Sequence, residues 1–207
     1  MAGTSSRKLH KGPISSRTKE TDGSFLIPGY SFVFPSGTWT ATRVAQGDIR
    51  MRKTAAAATA NAVVNLNDQL MKKVGLDPTW DTLFGTAPTV VPADIAHDIR
   101  GFQVVSIDVV YAIGTTPLTT HTGTLTRSTY ANTVAPVVAA VGGALAGALA
   151  TAINAQPFVT TLTPAAPFIL GNNLVEVMEL FELSIQDPGT TIYDLIGIEV
   201  KGNYNIL

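Results

Sequence analysis

A long stretch of this chain carries almost no charge. From Gly101 to Gly171 only Asp108 and Arg127 are ionised, and Thr, Ala, Val and Asn stand where charged residues would be expected. Short runs of β-branched and aromatic residues alternate there with turn residues, which is typical of a β-sandwich or barrel. The outer faces of a sandwich that stands alone in water normally carry charges. We therefore expect an all-β fold in which much of this surface contacts protein, the alternative being a Thr-rich surface that is simply solvated.

The pattern of apolar residues predicts strands along most of the chain. A helix of one or two turns is expected at 67–73, with Asn67 as its cap, and a second short helix at 77–84. Glutamates at every third position make 174–185 ambiguous, but its density of Val, Leu, Phe and Ile favours a strand. The Ala/Gly run at 139–152 could be a helix or a flexible loop, and we treat it as an insertion between strands. The predicted strands are 38–44, 49–54, 62–66, 102–113, 123–130, 157–163, 174–185 and 191–204.

The N-terminal residues differ from the rest of the chain. Residues 1–24 contain too few sizeable apolar groups to offset the entropy of ordering, so we expect a disordered or extended basic arm, followed by one domain at 25–207. The arm is either a mobile tail without a role or a contact element for a neighbouring subunit or a polyanion, including sequence-independent contact with nucleic acid. One hypothesis is that it docks on the acidic residues 128–207 of another copy. The candidate contact residues are Arg7, Lys8, Lys11, Arg17 and Lys19.

Residue patterns typical of catalysis and cofactor binding are missing from the sequence. There is no cysteine, and His10, His97 and His121 lack a second ligand at metal-type spacing, with His121 expected in a loop. Neither a nucleophile elbow nor a phosphate-binding loop is present. We expect no enzyme activity, no cofactor and no metal.

The apolar run at 134–155 is the one candidate for a membrane segment. It is rich in Ala and Gly rather than Leu, so we expect no membrane span. We interpret residues 136–155 instead as a contact element between subunits. Its candidate interface residues are Val138, Val141, Leu145, Leu149 and Ile153.

Several segments together resemble a known group of proteins. The runs RGFQVVSIDVVY (100–111), LTRSTYAN (125–132), PFVTTLT (157–163) and 193–204 resemble the single jelly-roll structural proteins of tailed phages and other viruses, and GTWT (37–40) and TAA (54–56) are similar to their opening strands. The resemblance implies two packed four-stranded antiparallel sheets, with one or two short helices. It also implies oligomers, often trimers, and a place in the virion. The long Ala/Gly run and the basic arm depart from the pattern.

These observations predict a viral structural protein that either builds the capsid by self-assembly or attaches to its surface as a decoration. Its partners would be other copies, as a trimer or larger assembly, and other virion proteins. An alternative is a receptor- or carbohydrate-binding jelly-roll module of a tail or fibre, with Trp80 or Tyr30 as a stacking surface. A third hypothesis is a lyase or hydrolase on the same architecture that uses His97 or Glu179.

Overall fold

The computed structural model describes residues 19–43, 49–53, 59–74, 99–131, 134–170, 177–186 and 192–206. Within these ranges the chain forms thirteen strands, one α-helix, α1 (Leu66–Val74), and a 3-10 turn at Gly29–Ser31. No helix in these ranges is long and apolar enough to cross a membrane. The strands are β1 (Lys19–Pro28), β2 (Val33–Ser36), β3 (Trp39–Arg43), β4 (Ile49–Lys53), β5 (Ala60–Asn65), β6 (Ile99–Ile113), β7 (Thr120–Ala131), β8 (Val134–Ala140), β9 (Leu145–Ala146), β10 (Asn154–Pro164), β11 (Phe168–Leu170), β12 (Val177–Gln186) and β13 (Tyr193–Ile206).

The strands form two antiparallel sheets, which confirms the expected all-β fold. The larger sheet has eight strands, in the order β3-β4-β13-β6-β10-β9, with β1 also paired to β13 and β11 also paired to β6. The smaller sheet has five strands, in the order β2-β5-β12-β7-β8. The sheets therefore contain more strands than the four each that the sequence led us to expect.

A single hydrophobic core fills the space between the sheets. Strand β5 alternates buried and half-buried residues, as expected of a strand with one face in a core. The two sheets pack closely at Gly123 on β7, where an added Cβ would lie 2.7 Å from Leu162 of the opposite sheet and 3.2 Å from Phe181. A larger residue at this position would require these side chains to move.

Part of the segment that we expected to form the arm is ordered as a strand. Strand β1 begins at Lys19, and its residues 19–24 pair with residues 201–206 of β13, although we had placed them in the arm. Backbone pairing along a long neighbouring strand orders this segment, despite its few apolar side chains. The other candidate contact residues of the arm, Arg7, Lys8, Lys11 and Arg17, lie outside the described residues.

The Ala/Gly run does not form a helix. It begins in strand β8 and continues through turns into the two-residue strand β9. Gly142, Gly143 and Gly147 have φ values of 70°, 66° and 116°, a region that favours glycine and interrupts a helix. The glycines therefore decide the conformation against the helical propensity of alanine.

The helix predicted at 67–73 is confirmed as α1, but its cap is a different residue. The side-chain oxygen of Asn65 accepts a hydrogen bond from the Asp68 N–H at 3.3 Å, as an N-cap residue does. Asn67 instead lies buried and binds Glu179. The strand expected at 174–185 is confirmed over Val177–Gln186, while the second predicted helix at 77–84 lies outside the described residues.

Candidate functional site

Strand β8 lies at the edge of the five-stranded sheet, and its side chains at residues 137–140 are exposed on both faces. Among the described strands it pairs only with β7. Val137 and Val138 are 64% and 62% exposed, and Ala139 and Ala140 are exposed as well. Neighbouring residues of a strand point to opposite faces. Exposure of successive residues therefore means that this part of β8 extends beyond the core.

The backbone of β8 also has an open side. The Val141 N–H donates to the Leu125 carbonyl at 3.1 Å, which extends the register of Thr126 with Ala140 by one residue. Hydrogen-bonded and non-hydrogen-bonded pairs alternate along antiparallel strands. The N–H and C=O groups of Val138 and Ala140 consequently point away from β7. Pro136, which has no N–H, lies between Val134 and Val137, where the pairing of β8 with β7 is irregular, and edge strands and bulges are the places in a sheet where proline is found.

This edge lacks the charges that usually protect exposed strands. The sequence contains no Lys, Arg, Asp or Glu between Arg127 and Glu176, which covers all of β8, β9, β10 and β11. Natural proteins place charged side chains on edge strands to prevent pairing with other chains. The charge deficit seen in the sequence therefore includes an edge strand that is open to pairing.

The five candidate interface residues do not all lie on this surface. Val138 and Ile153 are exposed, whereas Val141 and Leu145 pack against the core and Leu149 belongs to it. Leu149 is buried because the chain folds back over the sandwich, where the Ala150 N–H donates to the Tyr111 hydroxyl at 2.6 Å. Leu149 thus has a core position in the single chain, and the interface role of the five residues stays a prediction.

A second exposed apolar surface lies on the outer face of the eight-stranded sheet. It is an open groove of about 560 Å³, lined mainly by apolar residues. Tyr30 lies at this groove and is 62% exposed. The other apolar side chains at the groove include Leu26, Ile49, Val110 and Ile196.

Ion pairs occupy the same outer face, in contrast to the uncharged edge at β8. Asp194 accepts two hydrogen bonds from Arg52, at 2.6 and 2.7 Å, and this bonding raises the pKa of Arg52. Asp108 accepts hydrogen bonds from Lys201 at 2.5 Å and from Thr161 at 2.6 Å. Burial alone would raise the pKa of Asp108, but these bonds and the charge of Lys201 lower it.

The inner face of β7 carries a buried ionic cluster that we call the glutamate cluster, formed by Asn67, Arg127 and Glu179. Arg127 and Glu179 are directly opposite each other on β7 and β12, and the guanidinium donates to Glu179 Oε1 from Nε at 2.9 Å and also from Nη2. The Asn67 amide donates to Glu179 Oε2 at 2.7 Å. Arg127 also donates to the Ile169 carbonyl of the opposite sheet at 3.1 Å. The cluster therefore links the two sheets and helix α1.

Six residues earlier on β7 lies a neutral cluster, the histidine cluster, formed by Tyr111, His121 and Tyr193. His121 is buried within a strand, not in the loop expected from the sequence. Its Nδ1 faces the Ala150 carbonyl at 3.4 Å, so this nitrogen carries the proton, and Nε2 accepts from the Tyr193 hydroxyl at 3.0 Å. Burial lowers the pKa of His121 to about 4 and raises that of Tyr193. The imidazole is therefore neutral at pH 7.

Two other aromatic side chains are withdrawn from the surface: Tyr111 is buried, and Trp39 is partly buried and stacks on Phe34 with ring centroids 4.6 Å apart. Trp80 and His97 lie outside the described residues. Among the residues that the structure describes, no group of three or more His, Cys, Asp or Glu side chains is placed to hold a metal ion.

Comparison with known proteins finds no matching protein-family model and no matching curated protein. Function is therefore inferred from the strand pairing and from the uncharged edge at β8.

Proposed function

We propose that the protein is a viral structural protein, a jelly-roll subunit that self-assembles as a capsid building block or attaches to the capsid surface. The main support is the order in which eight of its strands pair. In a jelly roll the first strand pairs with the eighth, the second with the seventh, the third with the sixth and the fourth with the fifth. Successive pairs lie in alternate sheets, so that two Greek keys wrap around one core.

The observed pairs follow this nested order. They are β1 with β13, β5 with β12, β6 with β10 and β7 with β8, all antiparallel. Two further pairings, β13 with β6 and β12 with β7, join these four pairs into two sets of four adjacent strands. The sets are β1-β13-β6-β10 in the larger sheet and β5-β12-β7-β8 in the smaller sheet. On this interpretation each sheet has the expected four central strands. The other five strands are additions at the edges, with β2, β3 and β4 between the first and second central strands.

The surface of the protein supports an assembling role. Exposed apolar side chains include Val137 and Val138 at the β8 edge, where no charge is present in the sequence, and Leu26, Tyr30 and Ile49 at the groove. Contiguous exposed apolar surface on a soluble protein commonly marks a contact with another protein. Other copies of this chain and other virion proteins are therefore the proposed partners, and the virion is the proposed location.

The test is the assembly state of the purified full chain, measured by sedimentation velocity over a range of concentrations and by negative-stain microscopy. A shell-forming subunit gives closed shells or tubes, and a decoration protein gives discrete trimers or other small oligomers. A single monomeric species at every concentration would contradict the proposed function.

Exposure of Tyr30 favours a second candidate, a carbohydrate-binding module, because an exposed ring beside an apolar groove is a surface on which a sugar can stack. A glycan array distinguishes the two functions. Glycan binding that is lost in Tyr30→Ala but kept in the control Val137→Ala, an exposed residue on β8 of the other sheet, would support the carbohydrate-binding role, whereas the capsid role predicts no glycan binding.

A further inference from the structure

We propose that β8 pairs with β8 of a second copy around a two-fold axis at Ala139, and thereby joins two five-stranded sheets into one continuous sheet. This inference rests on the proposed function, because it names the surface through which copies assemble. We choose a second copy as the partner of β8 because the strand is complementary to itself, both in its backbone groups and in its side chains.

The backbone groups on the open side fix the register. An antiparallel pair formed by a strand and its own copy has two-fold symmetry. If Val138 lies opposite Ala140 of the second copy, the N–H of each residue donates to the carbonyl of the other. The two-fold axis produces the same two hydrogen bonds between Ala140 and Val138 of the second copy. If the axis passed through Val138 instead, Ala140 would lie opposite Pro136 of the second copy, which has no N–H to give. The register centred on Ala139 uses all the donors that Val138 and Ala140 present.

The side chains of β8 suit the same register. Ala139 meets Ala139 of the second copy in a non-hydrogen-bonded pair, where the Cα atoms approach to about 4.5 Å and a small side chain fits. Val137 and Val138, exposed on opposite faces, both gain a neighbouring strand. No charged residue lies in β8, so pairing places no like charges opposite one another.

Cysteine crosslinking tests this register, since the chain has no cysteine of its own. Ala139→Cys places two thiols across the axis at about 4.5 Å between Cα atoms, within the range that a disulfide spans. Ala140→Cys is the matched control, because it is exposed on the same strand but lies diagonal to its copy, at roughly 7–8 Å. Under mild oxidation we expect disulfide dimers to form several-fold faster with Ala139→Cys than with Ala140→Cys.

A second variant tests the backbone pairing. Val138→Pro removes an N–H that points away from β7, so the fold should be retained while self-association weakens. The control is Val159→Lys. Val159 is exposed on β10 of the eight-stranded sheet, whereas β8 belongs to the five-stranded sheet, so this substitution should leave dimers intact. Circular dichroism and thermal melting check the fold of each variant.

The outcomes separate the two proposals. A wild-type chain that remains monomeric overturns both the assembling function and β8 pairing. If the wild-type chain assembles, but Ala139→Cys crosslinks no faster than Ala140→Cys, the β8 pairing is overturned and the assembling function stands. The β8 pairing is also overturned if Val138→Pro remains folded and self-associates as strongly as the wild type.

Discussion

Strand β7 holds a buried polar cluster near each of its ends, and the two clusters are stabilised in opposite ways. In the glutamate cluster Arg127 and Glu179 are paired, with side-chain exposures of 38% and 2%. In the histidine cluster burial keeps His121 neutral, and Tyr193 and the Ala150 carbonyl satisfy its two nitrogens. A polar side chain can enter a core with its charge compensated or with its charge removed. The stability contributed by the glutamate cluster should therefore depend on keeping both partners of the ion pair, and that contributed by the histidine cluster should depend on pH.

The largest effect is expected from breaking the ion pair. Arg127→Met removes the guanidinium that pairs with the buried Glu179 carboxylate, so the free energy of unfolding should fall by about 3–4 kcal/mol, within the range for broken buried pairs. Urea denaturation followed by circular dichroism measures the change.

The control for this prediction is the double variant Arg127→Met/Glu179→Gln. Because it removes the uncompensated charge, it should recover a large part of the lost stability. The ionic interpretation would be wrong if the single variant were as stable as the wild type, or if the double variant recovered nothing.

The next largest effect concerns pH and the histidine cluster. The pKa of His121 is about 4 in the folded protein, against 6.5 for an exposed imidazole, so the unfolded chain takes up the proton first as the pH falls. The contribution of neutral His121 is therefore present above pH 6.5 and is lost progressively down to pH 4, by on the order of 3 kcal/mol. His121→Phe should remove this part of the pH dependence.

The measurement is the free energy of unfolding of the wild type and His121→Phe at several pH values between 7.5 and 4. Loss of the hydrogen bond with Tyr193 lowers the free energy of unfolding of the variant by the same amount at every pH. The test therefore compares how steeply the free energy of unfolding changes with pH in the two proteins. The lowered pKa of Asp108 places its own contribution below this window. Parallel curves for the two proteins would rule out His121 as the source of the acid sensitivity.

The smallest effect is expected at the outer-face ion pair of Arg52 with Asp194. The guanidinium donates through two nitrogens, as it does in the glutamate cluster, but Arg50 lies 3.9 Å from the same carboxylate and still faces Asp194 when Arg52 is replaced. Arg52→Met should therefore cost less than about 1 kcal/mol, and the loss should shrink in high salt. If Arg52→Met destabilised the protein as much as Arg127→Met, the presence of Arg50 beside Asp194 would not compensate for the loss of Arg52.

Local patterns in the sequence were sufficient to predict most of the strands. Alternating or continuous apolar runs located β3, β4, β5, β6, β7, β10, β12 and β13, and the polar, capped run located α1. Strands β1 and β8 were missed because their side chains, basic and polar in one and rich in alanine in the other, are not typical of strands. Both are ordered by backbone pairing, β1 with the distant β13 and β8 with β7, which directly precedes it in the sequence.

The polar clusters were beyond prediction from the same patterns, although one signal pointed to them. Asp108 and Arg127 are the only charges in the stretch from 101 to 171, and each is bound by a residue more than fifty positions away. An isolated charge in an apolar stretch indicates that a partner is required. Which partner it is depends on strand register, since Arg127 meets Glu179 only because β7 and β12 align at those residues.

The position of β13 in the fold has a consequence for biosynthesis. This strand is the last of the thirteen to be made, yet it lies inside the larger sheet, between β6 on one side and β1 and β4 on the other. Until it leaves the ribosome, β1 and β6 have no strand between them, and the core residues beneath them remain accessible to chaperones and to other nascent chains. Pairing between such distant segments also slows folding. The same nesting that permits a compact subunit thus delays its completion until β13 has been translated.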